Sequence, residues 1–130
     1  MCSRKILIVD DEPLIQNLFD EAFGNAGYSV YLAADANEAL GILKQESIPL
    51  MIIDLGLKSM NGFDLCKNIL KDNPGAIIYA LTGYSGYYNA QELFEAGFDG
   101  IFDKPIILKD LYQVVEDSFE KLNSQQNPSL

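Results

Sequence analysis

The sequence predicts an α/β domain: a doubly wound, five-stranded parallel sheet of order 2-1-3-4-5 with five helices on its two faces. Three observations predict it. Short uninterrupted apolar runs, such as Ile6-Leu7-Ile8-Val9 and Leu50-Met51-Ile52-Ile53, read as strands buried on both faces. Segments with apolar residues at helical spacing follow the runs. Two of the runs end on carboxylates, Asp10-Asp11-Glu12 and Asp54, and open parallel sheets collect ligands beyond the carboxyl ends of their strands.

The elements follow in order. Lys5 to Val9 forms the first strand. Pro13 suits a first helical position, and Leu14, Ile15, Leu18, Phe19, Ala22, Phe23 and Ala26 recur at helical spacing before Gly27. Tyr28 to Ala33 is a second strand. Asp35 with Glu38 makes a capping box for a helix through about Glu46. The Asp54 strand, bounded by Pro49 and Gly56, leads into a loop from Leu55 to Asn61. Gly62 then opens a helix whose inner face is Leu65, Cys66, Ile69 and Leu70. Asp72-Asn73-Pro74-Gly75 is a turn. Ala76 to Leu81 is the fourth strand, ending on Thr82-Gly83, and a helix from about Gly86 to Ala96 stops at Gly97. Phe98 to Asp103 is the fifth strand, followed by Lys104-Pro105. Leu108, Leu111, Val114, Val115, Phe119 and Leu122 mark a last amphipathic helix. Alternating β and α units of this kind specify the flavodoxin-like arrangement.

Composition bounds the function. The 130 residues fit one domain, assigned to 1–122, and the polar stretch 123–130 is expected to fray. With 19 acids against 9 bases the net charge is −10. That disfavours direct binding to nucleic acid or an anionic membrane and suits cations and basic partners. No apolar run approaches the roughly 20 residues of a membrane span, and the opening run is too short for a secretory signal, so a soluble cytoplasmic protein is expected. Cys2 and Cys66 form no CxxC pair and are expected as reduced thiols, Cys66 packed on a helix. Histidine is absent, which excludes Ser-His-Asp and Cys-His catalysis, His-ligated zinc and histidine phosphodonation.

The topology brings Asp10, Asp11, Asp54, Thr82 and Lys104 to one sheet edge from four strands. Taken singly, each has an ordinary explanation as a strand-end cap, a surface amine or an acidic turn. Together they form a pattern. Close carboxylate pairs repel by roughly 4 kcal/mol at an effective dielectric near 20, so such a cluster calls for a cation. Oxygen-only ligands favour a hard one, above all Mg2+, which keeps coordination positions for water and phosphate oxygens. An ammonium and a hydroxyl beside it suit phosphoryl transfer, with Asp54 as the nucleophile.

These residues resemble the receiver domain of bacterial two-component response regulators. The matching pieces are Ile6-Leu7-Ile8-Val9-Asp10-Asp11-Glu12-Pro13, Met51-Ile52-Ile53-Asp54-Leu55, Met60-Asn61-Gly62, Leu81-Thr82-Gly83 and Asp103-Lys104-Pro105, and the likeness covers about residues 4 to 122. The resemblance implies that Asp54 is the phosphoacceptor, that Asp11 ligates Mg2+ (or Mn2+) directly, that Asp10 acts largely through water, and that the Gly56 backbone carbonyl is a further ligand. Thr82 and Lys104 would contact the phosphoryl group, and the Lys104-Pro105 peptide would be cis. It also implies a sensor histidine kinase as donor and a monomer or weak dimer signalling to an output partner or effector through the fourth helix, fifth strand and fifth helix. No effector domain is expected within 130 residues.

The chain departs from that family at three places. Ile101 stands where an aromatic residue usually reports phosphorylation, three residues before Lys104. Gly56 puts no side chain two residues past Asp54, and Lys58 replaces a common proline. One hypothesis has Tyr84 standing over the pocket mouth and slowing attack by water; the ordinary alternative is a loop aromatic. An unchanged rate of phosphate loss in Tyr84→Ala would sink it. Tyr84, Tyr87, Tyr88 and Tyr112 are candidates for an interface or for mutual packing. Three other functions compete. A receiver-like module working without phosphate stays open because of Ile101. An aspartyl-phosphate phosphohydrolase would carry Asp-x-Asp and a cap, both absent. A flavin carrier would not place Asp10-Asp11-Glu12 against a flavin phosphate.

Overall fold

A computed structural model describes residues 4–57, 62–83 and 89–126, with side chains through Leu122. Cys2, Lys58, Met60, Asn61, Tyr84, Tyr87, Tyr88 and the tail from Asn127 lie outside the described residues. In chain order the elements are β1 (Lys5–Val9), α1 (Pro13–Asn25), β2 (Ser29–Ala33), α2 (Ala36–Gln45), β3 (Leu50–Asp54), α3 (Gly62–Asp72), β4 (Ile77–Thr82), α4 (Ala90–Ala96), β5 (Gly100–Asp103) and α5 (Leu108–Gln126). The strands form one sheet of order β2-β1-β3-β4-β5, every pair parallel. This is the doubly wound, flavodoxin-like arrangement that the alternating units predict.

Period-2 alternation in the strands sorts side chains to the two sheet faces. Leu7, Val9, Met51, Ile53, Ile78 and Ala80 pack with residues of α2, α3 and α4. Ile6, Ile8, Leu50, Ile52 and Leu81 pack with Phe19 and Phe23 of α1 and Leu111, Val115 and Phe119 of α5. β3, central in the sheet, is buried along its whole length. Each large apolar side chain withdrawn from water in this way contributes about 1.5–3 kcal/mol. The layers therefore fix the sheet firmly, and the strand ends that carry the polar residues are fixed with it.

Several boundaries differ from expectation, each for a local reason. Within the described residues the fourth helix starts at Ala90; its expected start near Gly86 lies outside them. Asn89 has extended backbone and caps it, its side chain accepting from Gln91 N at 2.7 Å. The fifth strand starts at Gly100 rather than Phe98, because Phe98 N bonds back to Leu93 O at 3.0 Å and closes α4 past left-handed Gly97. Ala76 belongs to the turn, donating to Asn73 O at 3.1 Å, while Thr82 joins β4. Tyr28 likewise closes α1 by donating to Phe23 O. Helix α5 runs on to Gln126, past the expected end near Leu122. Nothing between these positions forbids helix, and Pro128 is the first residue that does. Among the described residues no helix is long and apolar enough to cross a membrane.

Candidate functional site

The site is built from ends of β1, β3, β4 and β5. The β1 ladder with β2 continues as far as Asp10 N, which donates to Ala33 O at 3.0 Å, so Asp10 leaves the sheet with its side chain fully buried. Its Oδ1 accepts from Glu12 N at 2.9 Å. That short turn brings the chain to Pro13 at the start of α1. Gln16, one turn into α1, donates from Nε2 to the Asp10 carbonyl at 2.8 Å. Asp54 ends β3 and is only 6% exposed. Its Oδ1 accepts from Gly56 N at 2.9 Å, which folds the loop back over the carboxylate. Leu55 N donates to Leu81 O, and Lys104 N donates to Thr82 O at 2.8 Å, so β3, β4 and the chain after β5 are bound together at the edge.

One carboxylate oxygen from each of Asp10, Asp11 and Asp54 lies within 4.8 Å of the others. That span is about twice a metal–oxygen bond of roughly 2.1–2.5 Å. The Lys104 ammonium lies 3.0 Å from Glu12 Oε1, 3.3 Å from Asp10 Oδ2 and 3.5 Å from Asp54 Oδ2. The Asp10 approach is an ion pair without hydrogen-bond alignment, and among the described residues Asp10 Oδ2 has no hydrogen-bond partner. Lys104 offsets part of the cost of burying that oxygen, but it is shared with Glu12 and Asp54, so a further cation would still be favoured there. Burial, reinforced by the Asp54 charge, pushes the Asp10 carboxyl up, against the Glu12 N–H and Lys104. For Lys104 burial acts downward, but Glu12, Asp10 and Asp54 outweigh it and raise the ammonium. The three carboxylates, the Asp10 oxygen that no hydrogen bond reaches and, among the described residues, a metal-ligand set of oxygens alone fit a hard cation.

The structure thus brings Asp10, Asp11, Asp54 and Lys104 together. Thr82, buried at the end of β4, holds Lys104 through its carbonyl. Gly56 is exposed on the loop, and a Cβ there would stand 3.5 Å from Asp54 Oδ1, an ordinary contact. The Lys104–Pro105 peptide is cis. Ile101, 37% exposed, pairs in register with Ala80 on β4. Sequence reasoning missed the contact of Glu12 with Lys104 and that of Gln16 with Asp10. The run Asp10-Asp11-Glu12 was the signal for the first; spacing alone gives none for the second.

Fold and pocket together define a doubly wound α/β domain with an acidic, lysine-bearing site at the carboxyl edge of its sheet. The sequence model of the response regulator receiver domain matches residues 6–116, and the chain belongs to that family. It is 32% identical over 116 residues to the transcriptional regulatory protein GlrR of Escherichia coli (strain K12), covering 89% of this chain and 26% of that protein. To sporulation initiation phosphotransferase F of Bacillus subtilis (strain 168) it is 30% identical over 116 residues, covering 89% of this chain and 94% of that protein. A crystal structure of a CheY-like response regulator receiver domain protein from Methanospirillum hungatei JF-1 superposes with a TM-score of 0.89 at 29% identity, covering 95% of this chain and 99% of that one. The chain spans only about a quarter of the GlrR length.

Proposed function

We propose that the chain is a phosphoacceptor module, taking a phosphoryl group onto Asp54 from a phosphorylated histidine of a sensor kinase. The observation that carries this reading is the Lys104 ammonium 3.5 Å from Asp54 Oδ2, at a pocket where three carboxylates converge. A carboxylate oxygen of Asp54 attacks phosphorus in line. The P–O bond forms as the P–N bond breaks, and the bonding pair leaves on the imidazole nitrogen. Lys104 faces the phosphoryl oxygens as a fixed charge, and Thr82 supplies a hydroxyl donor. Asp10, Asp11 and Asp54, with the Gly56 carbonyl, would hold Mg2+ or Mn2+, which when bound offsets charge on those oxygens.

The surface that carries the signal is assigned to α4, β5 and α5, where Phe94, Ile101 and Tyr112 are exposed. On this reading the chain works in the cytoplasm as a monomer or weak dimer, assists only its own phosphorylation and dephosphorylation, and signals to an output partner or effector. Ile101 favours a second reading, an interaction module that works without phosphate, because an exposed aliphatic residue replaces the aromatic reporter. Label uptake from a phosphorylated histidine kinase, followed as Mg2+ is titrated in, tests the choice. Cation-dependent labelling is expected; a chain that binds partners equally well unlabelled supports the second reading.

A further inference from the structure

Glu12 stands at the cap position of α1, yet its side chain makes no capping hydrogen bond, the usual task of a polar residue there. Its carboxylate turns instead to Lys104, at 3.0 Å the shortest of the three acid contacts around that ammonium. The backbone of Glu12 is tied down at both ends. Its N–H is held by Asp10 Oδ1, and its carbonyl accepts from Gln16 N at 3.1 Å. The side chain is 57% exposed, whereas Asp10 and Asp54 are buried. The Lys104 ammonium is therefore shared between two buried carboxylates inside the pocket and one exposed carboxylate at its mouth.

We infer that Glu12 is a positioning residue: it draws the Lys104 ammonium toward the pocket mouth, and the release of that contact sets how fast Asp54 accepts a phosphoryl group. This rests on the phosphoacceptor reading of Asp54. An incoming phosphoryl group brings oxygens that compete with Glu12 for the same ammonium. Each transfer then includes the loss of the Glu12 contact. The contact spans ground that water also reaches, so its loss costs little, and its effect on rate is correspondingly modest.

Rate constants for phosphorylation by acetyl phosphate at saturating Mg2+, followed by intact mass, test the inference. They are measured for the full chain, Glu12→Gln and Glu12→Asp, each with Lys104 present and with Lys104→Gln. Glu12→Gln is expected to be about two- to five-fold faster, the range spanned by an exposed ion pair. Glu12→Asp, whose carboxylate stops one carbon short, is expected to gain similarly. Neither gain survives in the Lys104→Gln background, measured over longer incubation. Glu12→Gln at or below the parent rate overturns the inference. So does Glu12→Asp at the parent rate, which would leave only a general effect of charge, and so does a gain that persists without Lys104. If the parent chain takes up no phosphate, the reading of Asp54 itself fails and the inference falls with it.

Discussion

The Lys104 ammonium sits 3.5 Å from Asp54 Oδ2, although the two residues leave strands that are separated in the sheet by β4. The carbonyl of Thr82 closes the gap by accepting from Lys104 N. Among the described residues the pocket holds one ammonium against the three carboxylates of Asp10, Asp11 and Asp54, and these are short of positive charge.

That imbalance predicts an inverted effect of mutation on stability. Asp10 is fully buried and its carboxyl is pushed up by burial and by Asp54, so its ionised form opposes folding above the ordinary aspartate range. Asp10→Asn keeps an oxygen for the Glu12 N–H and removes the charge. In chelator it should stabilise the chain in urea unfolding, seen as a higher midpoint, while Lys104 keeps Asp54 and Glu12 as partners. Added Mg2+ should reverse the order, because it stabilises the parent by binding its folded state.

Asp54, Lys104 and the strand ends around them were legible in sequence for a physical reason: buried strands are uninterrupted apolar runs, and a charge that ends such a run is conspicuous. The family resemblance rested on those same residues. The ends of α4, β5 and α5 were not legible. Asn89 as cap and Phe98 as the closing residue of α4 depend on local hydrogen bonds that compete with periodicity, and α5 continues to Gln126 because its polar last turn contains no helix breaker. The Glu12–Lys104 contact was hidden for another reason. It joins residues 92 apart, and which acid of the run reaches the lysine is set by backbone geometry.

Gly62 tests the coupling between α3 and the acceptor strand. A Cβ there would meet Leu55 Cα at 3.0 Å and the Asp54 carbonyl at 3.2 Å, both backbone atoms with little room to yield. Gly62→Ala should destabilise by about 1–3 kcal/mol and slow phosphorylation by shifting the loop after Asp54. Unfolding midpoints and phosphorylation rates measured together check it.

Glu116 predicts a pH dependence away from the pocket. It accepts from the Tyr28 hydroxyl and pairs with Arg4 at 3.1 Å, while the Arg4 guanidinium lies 5.3 Å from the Tyr28 ring centroid. The Tyr28 hydrogen bond, helped by Arg4 and opposed by burial, lowers the Glu116 carboxyl. A depressed carboxyl contributes stability above its unfolded value that is lost as pH falls through the folded one. Glu116→Gln should therefore be less stable than the parent at pH 7, and the gap should close as pH falls below the ordinary glutamate range. Thermal melts across that range measure it.

Cys66 is fully buried and its thiol is pushed up to about 12 by burial, with Asp99 adding to the shift. The thiolate is the reactive form, so native Cys66 should resist alkylation at pH 8 and react in urea. Peptide mapping after iodoacetamide treatment distinguishes the two states.

The central claim is that Asp54 accepts a phosphoryl group. Intact mass after incubation with Mg2+ and a small phosphodonor, compared between the parent chain and Asp54→Asn, tests it most directly. One added phosphoryl mass on the parent, lost with hydroxylamine and absent from Asp54→Asn, is the predicted result. No addition to the parent, or an equal addition to Asp54→Asn, would contradict it.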